Sequence, residues 1–255
     1  MEVITESKIK FLNRDAIKYI AMLTMLLNHI ANVFLPPDTW AYELMLSIGY
    51  FTAPTMIYFL VEGYRYTHSP VSYLKRMLLF ALLSEIPFCL AFTWEGVIRF
   101  QGFNMLFTLC LCLLLIMAID RLEKPWQKVC VSVIAIFLSL FCDWAIFAPV
   151  FTLLFCWADG NKPRVKQAYA AAVILFWCFC FLQCIGNVYG ELSLSVSLAR
   201  SFVNASGVLL SGLCICLLYN GKRANRFQMF SKWFFYGFYP VHLLILGLIR
   251  ISVSL

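Results

Sequence analysis

The sequence predicts an all-α fold, a polytopic membrane helix bundle of about nine transmembrane helices with a cytoplasmic N-terminus. Three observations carry that expectation. The chain is 62% hydrophobic and 13% charged, with a mean hydropathy of +0.83. A soluble domain has about 25% charged residues, and a core of this size could not bury the surplus apolar surface. The apolar residues run continuously rather than alternating, which excludes an outer-membrane barrel. The 20 Lys and Arg collect almost entirely on one side of the expected spans.

The first apolar run, Ile17–Leu35, ends in Leu35-Pro36-Pro37 and has no small-x-small cleavage site. Its length of about 19 residues suits a retained span rather than a signal peptide. Eight further spans follow: Glu43–Val61, Leu74–Thr93, Phe103–Ile119, Gln127–Phe141, Ala145–Trp157, Ala168–Tyr189, Phe202–Tyr219 and Trp233–Ser254. The fifth and sixth are short for a bilayer that needs about 20 residues. If they form a re-entrant hairpin, seven helices cross. Pro54, Pro87, Pro149 and Pro240 lie inside spans and are expected to kink them. Residues 1–16 form a cytoplasmic or interfacial segment, with the amphipathic stretch Ser7–Lys18 lying on the inner surface. Residues 1–255 are expected to be a single integral-membrane domain.

With the N-terminus inside, only Arg99, Arg200 and Arg250 of the 20 basic residues face the opposite side. That asymmetry is the positive-inside pattern. It also accounts for the formal net charge of +7 without nucleic acid, because no basic groove interleaved with aromatics is present. The hairpin of the fifth and sixth spans drops out of this count without changing it. Cys110/Cys112, Cys178/Cys180 and Cys214/Cys216 are C-x-C pairs. On a helix such positions point about 200° apart, so no pair chelates one metal from one face. The cysteines read as small core hydrophobes, and no metal is expected.

Ionisable groups at membrane depth are costly and mark function by default. Counting about 1.5 Å per residue from the inner boundary, His29 lies about 18 Å deep, Glu85 about 16 Å and His242 about 14 Å. Asn28 and Asn32 share a polar stripe in the His29 helix. If the three helices are neighbours, two imidazoles and a carboxylate meet near mid-bilayer. That is the constellation of general base catalysis, a base that titrates near neutrality and a group that orients it. Nearer the inner boundary stand Glu62, Arg65, Tyr73 and Arg76, where arginines offer bidentate contacts to an anionic head group or a cofactor phosphate. His68, in the same loop, is expected to be solvated. On the outer side, Asn104 and Thr108 sit four residues apart and line an expected vestibule. Asp143, in the polar break CDWA, reads as a turn residue.

These residues also carry a resemblance. LNRDAIKYIAMLTMLLNHIANVF, EGYRYTHSPVSYLKRMLLFALLSEIPF, NMLFTLCLCLLL, Asp143-Trp144 and FYPVHLLIL occur in that order and cover most of the chain. They resemble the TraX family, named for a plasmid-transfer protein needed for N-terminal acetylation of pilin. The family is similar to the wider group of membrane acyltransferases. The resemblance implies a multi-pass protein of the bacterial cytoplasmic membrane. It would be an O- or N-acetyltransferase moving an acyl group from cytoplasmic acetyl-CoA, or another acyl-CoA, to a peptide, pilin-like or glycan acceptor. His29 matches the histidine of the family's first-helix Asp-His pair, although Asn28 replaces the Asp. His242 matches the last-helix Tyr-Pro-x-His motif, which includes Tyr239. Glu62, Arg76 and Glu85 fall on polar positions of the second and third helices.

On this reading His29 is the general base, His242 assists it and Glu85 orients one imidazole. Arg65 and Arg76, with Tyr73 and Glu62, hold the cofactor's phosphates. Asn28, Asn32, Asn104, Thr108 and Tyr239 line the substrate site. Two other functions fit the same residues. Buried His and Glu also build proton relays in small-solute transporters, and a non-catalytic membrane factor for secretion or assembly would use them as packing groups.

Overall fold

The structure is a computed structural model of the chain, and it describes residues 10–37, 39–93, 99–186, 193–225 and 227–254. Ten helices account for most of these residues. They are α1 (Arg14–Phe34), α2 (Trp40–Gly49), α3 (Thr52–Arg65), α4 (Pro70–Phe92), α5 (Met105–Arg121), α6 (Pro125–Leu138), α7 (Phe147–Ala158), α8 (Lys162–Ile185), α9 (Leu194–Leu213) and α10 (Gln228–Ser254). A 3₁₀ turn, Ser139–Phe141, extends α6, and a π-helical turn, Cys214–Leu218, extends α9. Among the described residues β-structure is limited to two isolated bridges, Leu12 with Tyr219 and Phe103 with Cys142.

Helix starts follow local chemistry. Asn13 caps α1 by accepting from Ala16 N at 2.9 Å. Asn104 caps α5 from Leu106 N at 3.0 Å, and Asn161 caps α8 from Arg164 N at 3.2 Å. Each side-chain oxygen satisfies an amide that the helix cannot. Proline stands at the first positions of α4, α6 and α8, where a missing N–H costs nothing.

Five helical segments are long and apolar enough to cross a membrane: Arg14–Phe34, Trp40–Arg65, Lys162–Ile185, Leu194–Leu218 and Gln228–Val253. Pro125–Phe141 and Phe147–Ala158 are shorter apolar helices. Exposed apolar side chains such as Leu82, Leu83 and Ile86 on α4, and Val133 and Phe137 on α6, suit a lipid solvent.

Several boundaries differ from the sequence expectation. The second span is two helices, broken at Tyr50–Phe51. Pro54 sits in the first turn of α3 and Pro149 in the first turn of α7, so each opens a helix rather than kinking one. Pro87 and Pro240 do lie inside helices. Within Ser7–Lys18 the described residues Lys10–Asn13 are not helical, and α1 begins at Arg14. Leu12 instead pairs with the end of the π turn, through Leu12 N to Leu218 O at 3.0 Å and Asn220 N to Leu12 O at 2.9 Å. The expected start at Ser7 and the expected end of the seventh span at Tyr189 lie outside the described residues.

The chain divides into two compact units. One comprises Met1–Thr55 with Ala158–Gln228, the other Met56–Trp157 with Met229–Leu255. In the first, α2 runs beside α9 in parallel register. Glu43 pairs with Arg200 at 2.8 Å, Ser47 Oγ meets Asn204 Oδ1 at 3.0 Å, and Thr55 Oγ1 meets Ser211 Oγ at 2.8 Å. Gly207 permits the close approach, since a Cβ there would fall on Ser47 O and on Phe51 N. Small residues and shared hydroxyls are the usual adhesive between helices in lipid, where the hydrophobic effect gives no net attraction. In the second unit, α5 packs between α4 and α6.

Candidate active site

Asn28 and Asn32 do form a stripe on α1, and it is used to hold α2. Asn32 Nδ2 donates to Asn28 O at 2.8 Å and to Asn28 Oδ1 at 3.1 Å. Tyr42 OH donates to Asn32 Oδ1 at 3.2 Å, and Asn28 Nδ2 reaches Leu46 O at 3.5 Å. Gly49 leaves room for Asn28, because a Cβ there would overlap the amide side chain. His29 is buried beside this cluster, at 7% exposure. His29, Asn28 and Asn32 belong to the first unit, whereas Glu85, Asn104, Thr108, Tyr239 and His242 belong to the second.

In the second unit the expected residues converge on the first turn of α5. Asn104 is fully buried. Its Nδ2 donates to Glu85 Oε2 at 2.6 Å and to Ala81 O at 2.8 Å, and its backbone N reaches Glu85 Oε2 at 3.3 Å. The next amide, Met105 N, donates to the Tyr239 hydroxyl at 3.3 Å. One turn on, Thr108 Oγ1 donates to Asp143 O at 2.7 Å. The first turns of α5 are thus tied to the Tyr239 hydroxyl of α10 and to the Asp143 carbonyl of the α6–α7 turn. The sequence expectation gave Glu85 an imidazole to orient. Among the described residues its hydrogen-bond partners are Asn104 and Cys89 instead. Asn104 intercepts it because the helix cap places an amide donor at the carboxylate.

His242 is 5% exposed and stands one turn beyond Phe238 on α10. Its ring stacks on Phe238, with centroids 4.7 Å apart, and meets the edge of Tyr239 at 5.6 Å. Nδ1 lies 2.7 Å from Phe238 O. A carbonyl only accepts, so Nδ1 carries the proton and the lone pair of the neutral ring sits on Nε2. This is the tautomer a general base needs, fixed by the backbone.

The α6–α7 turn holds Asp143 tightly. Asp143 N donates to Phe103 O at 2.8 Å, and Trp144 N donates to Asp143 Oδ1 at 2.9 Å. Trp144 and Ile146 take positive φ, 56° and 65°. For a β-branched residue such as Ile146 that is a strained conformation, costing about 1–3 kcal/mol. Burial pushes the Asp143 carboxyl up from 3.8 to about 6, against the opposing hydrogen bond from Trp144. Asp143 does lie in a turn, as its sequence context suggested, and Thr108 Oγ1 ties that turn to α5 through the Asp143 carbonyl.

The residues expected at the cofactor also fall in the second unit. Arg76 hydrogen-bonds the Tyr236 hydroxyl, and Tyr236 stacks on Phe80 at 5.0 Å. Tyr73 packs over Gly63, and Tyr64 OH donates to Asp120 Oδ2 at 2.9 Å. Glu62 and Arg65 close the last turn of α3. Among the described residues no group of three His, Cys, Asp or Glu is placed to hold a metal, and all 11 cysteines are free.

The family described as "TraX protein" matches residues 13–250. The chain is 32% identical over 237 residues to the probable fimbrial assembly protein FimC, serogroup H1, of Dichelobacter nodosus, a match spanning 90% of this chain and 92% of that protein. No solved structure matches it.

Proposed function

The chain belongs to the TraX family of multi-pass bacterial membrane proteins, and from that premise we propose that it is a membrane-embedded acyltransferase serving fimbrial assembly by modifying a peptide or glycan acceptor. The observation that carries the reading is the His242 tautomer. Its Nδ1–H meets Phe238 O at 2.7 Å, which leaves the ring's lone pair on Nε2. The acceptor's hydroxyl or amine gives its proton to Nε2 as it attacks the thioester carbonyl. The imidazolium then returns that proton to the departing thiolate. Arg65 and Arg76 supply cations for the phosphates of an acyl-CoA donor, acetyl-CoA being the leading candidate. The positive-inside distribution supports a cytoplasmic side for those arginines and the N-terminus, with nine crossings, or seven if the fifth and sixth spans are a re-entrant hairpin. His29 is buried in the first unit and is a separate candidate.

The test is acyl transfer by His242→Ala and His29→Ala in proteoliposomes with acetyl-CoA, read as free CoA thiol and as mass added to exported peptides and glycans. Loss with His242→Ala at normal folded yield supports the base. Full transfer by that variant rules it out, and the His29→Ala result shows whether one imidazole suffices. The name of the Dichelobacter relative favours a second reading, a non-catalytic assembly factor. In that case double replacement of both histidines leaves fimbriation intact. Solute flux into liposomes without any acyl donor would instead point to a proton-coupled transporter.

A further inference from the structure

One end of the first unit gathers cations from three stretches of chain that lie far apart in sequence. The extended residues before α1 run alongside the segment that follows the π turn. Leu12 N donates to Leu218 O at 3.0 Å, Asn220 N to Leu12 O at 2.9 Å and Arg14 N to Lys222 O at 2.9 Å. The π turn also packs against α8. Cys216, within that turn, lies in electrostatic range of both Lys10 and Lys166. Lys10, Lys166 and Lys222 are therefore assembled by hydrogen bonds and helix packing rather than by adjacency in the chain. Among the described residues two carboxylates share this end, Asp15 and Asp159. Asp15 is 5% exposed, and its Oδ2 is turned to Ala224 N at 2.8 Å. The first turns of α8 carry Lys162, Arg164 and Lys166, with no acidic residue in the first turn. Cations at the positive end of a helix oppose its dipole, so the arrangement favours an added anion.

We propose that Lys10, Lys166 and Lys222 form a binding surface for the phosphate of an anionic phospholipid head group. The inference is independent of the acyltransferase reading and uses none of that site's residues. Two observations favour a lipid over a soluble anion. The surface stands where three membrane-crossing segments end, at the start of Arg14–Phe34, the start of Lys162–Ile185 and the end of Leu194–Leu218. Head groups lie at that level. Phe11, next to Lys10, is 67% exposed, and Phe227 is 76% exposed. Exposed aromatic rings beside lysines are the composition of an interfacial anchor, with the rings entering the acyl layer and the ammonium groups meeting phosphate. Lysine binds phosphate as a mobile point charge on a flexible stem, so the surface requires no rigid fork of donors.

The experiment titrates fluorescent phosphatidylglycerol onto the full chain in neutral-detergent micelles, with fluorescent phosphatidylcholine as the comparison. The variants are Lys10→Gln, Lys166→Gln and Lys222→Gln, singly and together, and the three Lys→Arg replacements that keep the charge. Lys128→Gln, near the start of α6, removes a cation from the second unit instead. The expected results are tighter binding of phosphatidylglycerol than of phosphatidylcholine and a loss of roughly fivefold for each lysine neutralised. The arginine variants should bind as wild type does, and Lys128→Gln should change nothing. On the unmutated chain, raising salt from about 0.05 M to about 0.5 M should weaken phosphatidylglycerol binding. Affinity that is equal for the two lipids, indifferent to salt, or lowered as much by Lys128→Gln overturns the site. Displacement of the lipid by inorganic phosphate or by coenzyme A at concentrations matching the lipid's overturns the lipid assignment in favour of a soluble anion.

Discussion

The two compact units spend their buried polar groups differently. In the first, the groups pair off one by one along neighbouring helices: Glu43 with Arg200, Ser47 with Asn204, Thr24 with Thr52, Thr55 with Ser211. Each pair sits about one turn or more from the next, and what it does is join helices. In the second unit, Glu85, Asn104, Tyr239, Thr108 and Asp143 meet at one helix start, with His242 against the tyrosine ring. Polar groups spread along an interface act as adhesive, whereas polar groups converging on one point can act together on a substrate. Whether a buried polar residue is functional therefore depends on how many others share its position.

Replacements can break that contrast. The largest effect is expected from His242→Ala, a fall in transfer of roughly hundredfold to ten-thousandfold with unfolding in mixed micelles unchanged. A matched loss of stability would put His242 with the adhesive groups. Next, Glu43→Ala strands Arg200, and both side chains are largely buried, at 15% and 21% exposure. It should cost about 3 kcal/mol in detergent-titrated unfolding, and unaltered stability would remove the ladder argument. The Asp143 carboxyl binds its proton more tightly when folded, near 6 against 3.8. Its contribution to stability is therefore present in acid and is lost as pH rises from about 4 through about 6. Asp143→Asn should flatten that part of a pH–melting curve, and an unchanged slope would show that the carboxyl is solvated. The smallest effect is Ser211→Ala, about 0.6 kcal/mol, measured in the same unfolding assay.

The helical class and most of the element boundaries were readable from apolar run length, because lipid imposes it. The break at Tyr50–Phe51 was not. Gly49 and Pro54 flank it, but membrane helices tolerate both without breaking, and the Thr52 hydroxyl that bonds Ala21 O on another helix at 2.8 Å is a tertiary contact. At the site, depth arithmetic placed Glu85 and His242 at similar levels, while Asn104 was expected in an outer vestibule and Tyr239 at the substrate. Depth says nothing about azimuth, though. It could not show that Asn104 would claim Glu85, or that Asn28 and Asn32 would be turned toward Tyr42 and Leu46. The tie between the Asp143 turn and Thr108, 35 positions away in the chain, could not be read from local sequence.

The first unit is assembled from two stretches of sequence separated by the whole of α4 to α7. Ser47 meets Asn204 only 157 residues later, and Leu12 must wait for Leu218. During synthesis α1 and α2 therefore enter the bilayer with Glu43 lacking its cation. They must be held at the insertion machinery, or shielded by another protein, until α9 emerges from the ribosome. Truncations that end before Arg200 should be recognised as orphans and degraded, even though they keep the long apolar segments Arg14–Phe34, Trp40–Arg65 and Lys162–Ile185.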